Sequence, residues 1–175
     1  MSNEQIIYNT SISAGLSPAM ANLMVSQAKF ESGNFTNNAF KNNLNAFGYK
    51  YYSGSDWQIG KGNTSTEGDP YAKYNSLADS TNEVVSWWKR RESKGQLPNS
   101  WKLSDLNTAE RYTYALKHNT YAPYFGGSEN EYSAGLKKYL SAIVDVVKEN
   151  PVKSSIGLFF ILGITSLLIY KYYYR

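Results

Sequence analysis

Glu31 is the residue of this chain best placed for acid chemistry. It falls near the end of SPAMANLMVSQAKFESGN, residues 17–34. Ser17 followed by Pro18 predicts a helix start. Serine caps free N–H groups, and proline at the first helical position gives up a donor that would be unpaired anyway. Gly33 supplies the stop. Met20, Leu23, Met24 and Ala28 recur at helical spacing and make one apolar stripe. Glu31 comes seven residues after Met24 and three after Ala28, so it shares that stripe. It also stands in the last turn, where the helix dipole disfavours negative charge. Both effects favour the protonated acid, the form a general acid needs near neutral pH. The same spacing fits a frayed surface glutamate or one half of an ion pair.

Glycoside hydrolysis needs such an acid, and usually a second carboxylate that activates water or attacks directly. Asp56, Glu67 and Asp69 are the acidic residues available for that role. Glu67 and Asp69 lie in TEGDP, where Gly-Asp and Asp-Pro are also ordinary turn formers. Tyr49, Tyr51, Trp57, Tyr71 and Tyr74 offer faces that stack on sugar rings or fill the core of a small lobe.

Other chemistries are short of residues. His118 is the single histidine, and no G-x-S-x-G stretch accompanies it. There is no cysteine, so a zinc site lacks nitrogen and sulfur ligands, and thiol chemistry is excluded. Gly54 to Gly60-Lys61 is one residue too long for a phosphate loop, and Gly62 stands where Ser or Thr belongs. No metal and no cofactor is expected.

The 175 residues allow one domain with an appendage. With 16 Tyr, 7 Phe and 4 Trp, they can fill a core and still line a groove. The net charge of +4 is spread along the chain, with Lys89-Arg90-Arg91 as the one positive run. Such a balance favours polyanionic surfaces, cell walls included, and is too weak to argue for nucleic acid.

The elements that must hold Glu31 follow from the pattern along the chain. MSNEQIIYNTSISAG has no basic region followed by an apolar one, so no cleavable signal peptide is expected. Ile6, Ile7 and Ile12 predict a short first helix ending near Gly15. After the helix of Glu31, residues 34–45 read as a turn and a short helix. Residues 46–74 mix aromatics with Gly54, Gly60, Gly62 and Gly68, which reads as short strands or a hairpin. Ser80 with Glu83 forms a capping-box pattern opening a helix to about Lys94. Residues 108–119 form the next helix, with Tyr112, Ala115 and Leu116 inward. Ser128 with Glu131 opens the last, striped by Leu136, Leu140, Ile143 and Val147 and ended by Pro151.

Beyond Pro151 the composition changes. Lys153 and Lys171 bracket 17 uncharged residues, SSIGLFFILGITSLLIY. At about 1.5 Å per residue these span roughly 25 Å, just short of a bilayer core. The lysines and Tyr170, Tyr172, Tyr173 and Tyr174 extend the span, because both residue types favour the interface. The segment reads as a C-terminal membrane anchor. Lys137, Lys138, Lys148 and Lys153 before it, against Lys171 and Arg175 after it, lean toward a cytoplasmic domain.

Several stretches, in order, carry a resemblance: SQAKFESGNF, NNLNAFGYKYY, YAKYNSLADSTNEVVSWW and ALKHNTYAPYF. Over residues 26–124 the chain resembles the glucosaminidase family of peptidoglycan hydrolases, flagellar and autolysin type, within the lysozyme-like superfamily. That family runs roughly AQAALESGWG, NNLFGIK, FRxYxS and GYATDPxY. The resemblance implies a helical lysozyme-like domain with a β lobe that cleaves the glycan backbone of peptidoglycan. It places Glu31 on the general acid, Asn45, Phe47 and Gly48 on the groove motif, and Tyr121 on the conserved tyrosine. The chain departs from the family in having APYF for ATDP, and in an extra Asn-Ala that gives NLNAFG. The second carboxylate is poorly fixed in the family, where the substrate's N-acetyl group can assist; by position Glu67 is preferred, then Asp69.

The expected fold is α+β, a mainly helical lysozyme-like domain with a small β lobe at 1–150 and a transmembrane helix at 151–175. The expected activity is cleavage of peptidoglycan glycan strands by Glu31 with Glu67 or Asp69. Asn45, Phe47, Gly48, Trp57 and Tyr121 would line the groove. A lytic transglycosylase and a non-catalytic wall-binding module are the alternatives. Peptidoglycan, a lipid membrane and, by likeness to virion-associated lytic proteins of membrane-containing bacteriophages, virion proteins are the expected partners.

Overall fold

The computed structural model describes residues 1–65, 67–121 and 124–149, the side chains of 142–149 excepted. Its elements run α1 (Asn3–Ser13), α2 (Pro18–Glu31), α3 (Asn38–Asn43), β1 (Gly60–Thr64), β2 (Pro70–Lys73), α4 (Leu77–Ser93), α5 (Ala109–His118) and α6 (Glu129–Glu149). Two short 3-10 turns, Pro98–Ser100 and Leu103–Asp105, join α4 to α5.

Side chains start most of these helices. Ser2 and Gln5 cap α1 reciprocally. Ser17 Oγ accepts from the Met20 amide at 3.2 Å with Pro18 in the first turn of α2, and Asn37 Oδ1 accepts from Phe40 N at 2.9 Å in α3. Thr108 caps α5 through Arg111 N. Helix α4 departs from expectation. It begins a turn earlier, because Ser76 takes the cap by accepting from Asp79 N at 3.0 Å and Leu77 is buried. Ser80 is thereby an interior position, and its hydroxyl accepts from the Ala46 amide at 3.3 Å.

The apolar stripe of α2 is fully enclosed. Met20, Leu23, Met24, Val25 and Ala28 are buried, and α2 packs against α1 on one side and α6 on the other. Ile7 of α1, Val84, Val85 and Trp88 of α4, Tyr112 and Leu116 of α5, and Leu136 of α6 complete the core around it. Each large buried side chain contributes about 2 kcal/mol. A Cβ on Gly135 of α6 would run into the Phe30 ring, so a larger residue there would have to move that ring.

Strands β1 and β2 pair antiparallel, Gly60 opposite Lys73 and Thr64 opposite Pro70, with an irregularity between Lys61 and Thr64. Lys50 adds one bridge to Tyr71. This hairpin and the preceding loop form a small lobe beside the helices.

The fold is therefore mainly helical with a two-stranded sheet, and the expected transmembrane helix and membrane location are corrected. No helix among the described residues is long and apolar enough to cross a membrane. The last described helix, α6, carries charges along its length and turns Tyr132 and Leu136 into the core. Residues 151–175, on which the anchor was read, lie outside the described residues.

Candidate active site

Glu31 is the last residue of α2, one turn beyond the buried Gln27 and Ala28. Its carboxyl looks out of the stripe into a cleft of about 670 Å³ between the helices and the small lobe. Burial pushes its pKa up to about 7, and the hydroxyl of Tyr132 restrains the rise. That hydroxyl donates to Glu31 Oε1 at 2.5 Å. Burial and the adjacent Glu31 hold the Tyr132 phenol well above its ordinary pKa, so it remains a donor. Its ring is fixed edge-on to Phe30 at 5.0 Å and stacked on Phe125 at 4.2 Å.

The other face of the carboxyl meets the backbone of the 45–49 loop. Gly48 has a φ of +68°, and a Cβ built there would stand 3.6 Å from Glu31 Oε2. The backbone thus approaches the acid in a conformation that favours glycine. Phe47 is 1% exposed, and its carbonyl accepts a hydrogen bond from Tyr124. Phe47, Gly48, Tyr124 and Tyr121 all border the cleft. Tyr121 is 67% exposed, with the Arg91 guanidinium 3.8 Å from its ring centre.

Asn45 does not reach the cleft. It is buried, its Nδ2 donates to Tyr49 O at 2.7 Å and Ala72 O at 3.1 Å, and its Oδ1 accepts from Tyr49 N at 3.1 Å. It clips the loop to β2. Trp57 is half-buried, bonded through its amide to Ser55, and also off the cleft wall.

The two carboxylates of TEGDP separate. Glu67 borders the cleft, 74% exposed, with Lys50 Nζ at 3.0 Å. Asp69 is exposed in the turn and not among the cleft residues; its carbonyl closes the turn by accepting from Ser65 N. His118 sits at the exposed end of α5, stacked on Tyr114 and paired with Glu129 at 2.5 Å.

Tyr132 and Tyr124 were not singled out from sequence. Tyr132 stands four residues before Leu136, so it extends the α6 stripe by one turn and was open to the same periodic reading. Tyr124 carries no such signal, because its contact with Phe47 joins residues 77 apart.

A carboxyl whose pKa is raised to about 7, on the wall of an aromatic-lined cleft between a helical frame and a small β lobe, is an arrangement suited to carboxylate acid chemistry. The chain belongs to the Glucosaminidase family: the family model, described as mannosyl-glycoprotein endo-beta-N-acetylglucosaminidase, matches residues 13–150. It is a glycoside hydrolase of the peptidoglycan-degrading kind. In fold it is similar to a chain in the structure of a type VI secretion system effector-immunity complex from Pseudomonas protegens. The two share 15% identity with a TM-score of 0.52, over 79% of this chain and 88% of that one. At that identity the likeness concerns the fold alone. No curated protein matches the chain.

Proposed function

We propose that the protein hydrolyses the glycan strands of peptidoglycan at the N-acetylglucosaminyl bond, with Glu31 as the general acid. The observation that carries this is the Glu31 carboxyl, set in the cleft and half-protonated near neutral pH. Glu31 would deliver its proton to the leaving glycosidic oxygen, and the positive charge that develops at the anomeric carbon would be met by a second group. Tyr132 orients the acid. Phe47, Gly48 and Tyr121 shape the groove.

Glu67 is the second carboxylate we favour, because it borders the cleft and Asp69 does not. Its exposure and its pairing with Lys50 favour a lighter role, in which the N-acetyl group of the sugar attacks and Glu67 helps steer water. A lytic transglycosylase needs the acid and no water-activating carboxylate, so the same observation supports it as the second reading.

Digestion of purified peptidoglycan separates the readings. Glu31→Gln should abolish clearing, and unchanged clearing would remove the enzymatic role of this residue. Muropeptides ending in reducing N-acetylglucosamine are the expected products. Reducing N-acetylmuramic acid would move the cleavage to the other bond, and anhydro ends would mark a transglycosylase. The virion setting rested on the membrane anchor and is not carried further.

A further inference from the structure

The cleft has a neighbour that the reaction does not use. A second groove of about 470 Å³ runs along the last turns of α4. Tyr49, Tyr52, Trp87 and Tyr121 border both, so the two are continuous. The remaining wall is Gly54 with Arg90, Arg91 and Lys94, and among the described residues no acidic one borders it.

Arg91 is built in. It is 5% exposed, sandwiched between Trp87 at 4.9 Å and Tyr121 at 3.8 Å, and its Nη1 donates to Gln96 Oε1 at 2.7 Å. Its buried Nε has no hydrogen-bond partner among the described residues. A buried guanidinium without a carboxylate is costly to keep unless something completes it. Arg90 and Lys94 stand exposed beside it, one helical turn apart.

Peptidoglycan brings an anion to such a place. Each muramic acid next to the scissile bond carries a peptide with free carboxylates, and guanidinium and ammonium groups recognise carboxylates by charge-assisted hydrogen bonds. We propose that the groove formed by Arg90, Arg91, Lys94 and Tyr121 is a subsite for the stem-peptide carboxylates of peptidoglycan, so that the enzyme prefers strands whose peptides carry negative charge. This rests on the hydrolase reading above.

The test uses the full chain on peptidoglycan freed of phosphate polymers by hydrofluoric acid, before and after carbodiimide conversion of its carboxylates to neutral amides. Amidation should lower wild-type kcat/KM about five- to tenfold, mainly through KM. The Arg90→Gln/Lys94→Gln variant should show that loss on unmodified substrate and little further loss on amidation, because the two changes remove one interaction. Independent, additive losses, or no effect of amidation, would overturn the proposal. A variant defect present only before hydrofluoric acid treatment would assign the groove to wall phosphate instead and overturn it equally. Should the wild type cleave neither substrate, the hydrolase reading fails by itself. The subsite is then judged by whether a soluble disaccharide-tetrapeptide binds the wild type more tightly than its amidated form does.

Discussion

The Tyr132 hydroxyl donates to Glu31 Oε1 across 2.5 Å, tying the first turns of α6 to the last residue of α2. A hydrogen bond to the charged form of an acid favours that form, and here it opposes the larger effect of burial. Tyr132→Phe should therefore raise the Glu31 pKa above its value of about 7, by about one unit for a bond of about 1.4 kcal/mol. The alkaline limb of kcat/KM would move upward, while kcat at its optimum falls about tenfold because the acid loses its orienting partner. A pH–rate profile checks both. A limb that moves down, or stays in place, would show that the tyrosine does not act on Glu31.

The same carboxyl predicts a stability change at the site. Its folded pKa of about 7 exceeds the ordinary 4.5, so between those values the folded chain holds more protons than the unfolded one. Stability then falls as pH rises from about 4.5 to 7, and is unaffected by this group below and above that window. The full penalty is about 3 kcal/mol, at 1.36 kcal/mol per unit. Glu31→Gln removes it while keeping the shape. Urea unfolding should find the variant equal to wild type near pH 4 and more stable by 1–3 kcal/mol, roughly, near pH 8. A variant less stable at both values would contradict a buried glutamate whose ionisation opposes folding.

Much of the frame was legible because it is local. Caps at Ser17 and Ser128, the apolar stripe of α2, and the place of Glu31 upon it all follow from spacing of three or four residues. The site walls are a different matter. Asn45 lies in a motif, yet whether its amide faces sugar or backbone is decided by Ala72, 27 residues away. Glu67 and Asp69 are two residues apart in one turn, and only the β1–β2 register decides which borders the cleft. Glu83 satisfied a capping-box spacing with Ser80 and instead lies buried under the small lobe, because Ser76 took the cap. Periodicity reports which face of a helix is inward and is silent on what meets it there.

Asn45→Ala should act on folding more than on substrate. The side chain makes three hydrogen bonds to backbone groups of Tyr49 and Ala72; its loss takes this partner from Tyr49 N and from the buried Ala72 O, while Tyr49 O keeps the Ala72 amide. The expected cost is about 2–3 kcal/mol. Thermal unfolding should show a lower Tm, with binding of soluble glycan fragments weakened by less than about threefold once the variant is folded. An unchanged Tm with lost glycan binding would place Asn45 at the substrate after all.

Glu83 predicts a coupling between the core and the cleft rim. Its carboxylate is fully buried in α4, and accepts from Tyr52 Oη at 2.7 Å and from the Ser55 hydroxyl. Those two donors fasten the loop that carries Tyr52 to the cleft. Removing them strands a buried carboxylate, which costs more than removing the whole arrangement. Tyr52→Phe/Ser55→Ala should therefore destabilise the protein by about 3 kcal/mol. Adding Glu83→Gln should recover about 1–2 kcal/mol, since a neutral amide is less costly to leave unpaired. The full cycle, read by urea unfolding, gives the coupling directly. Additive losses would mean that the carboxylate finds other partners when the hydroxyls are gone, and that the loop is held by its other contacts, such as Tyr51 N to Pro70 O and Tyr52 N to Gln58 Oε1.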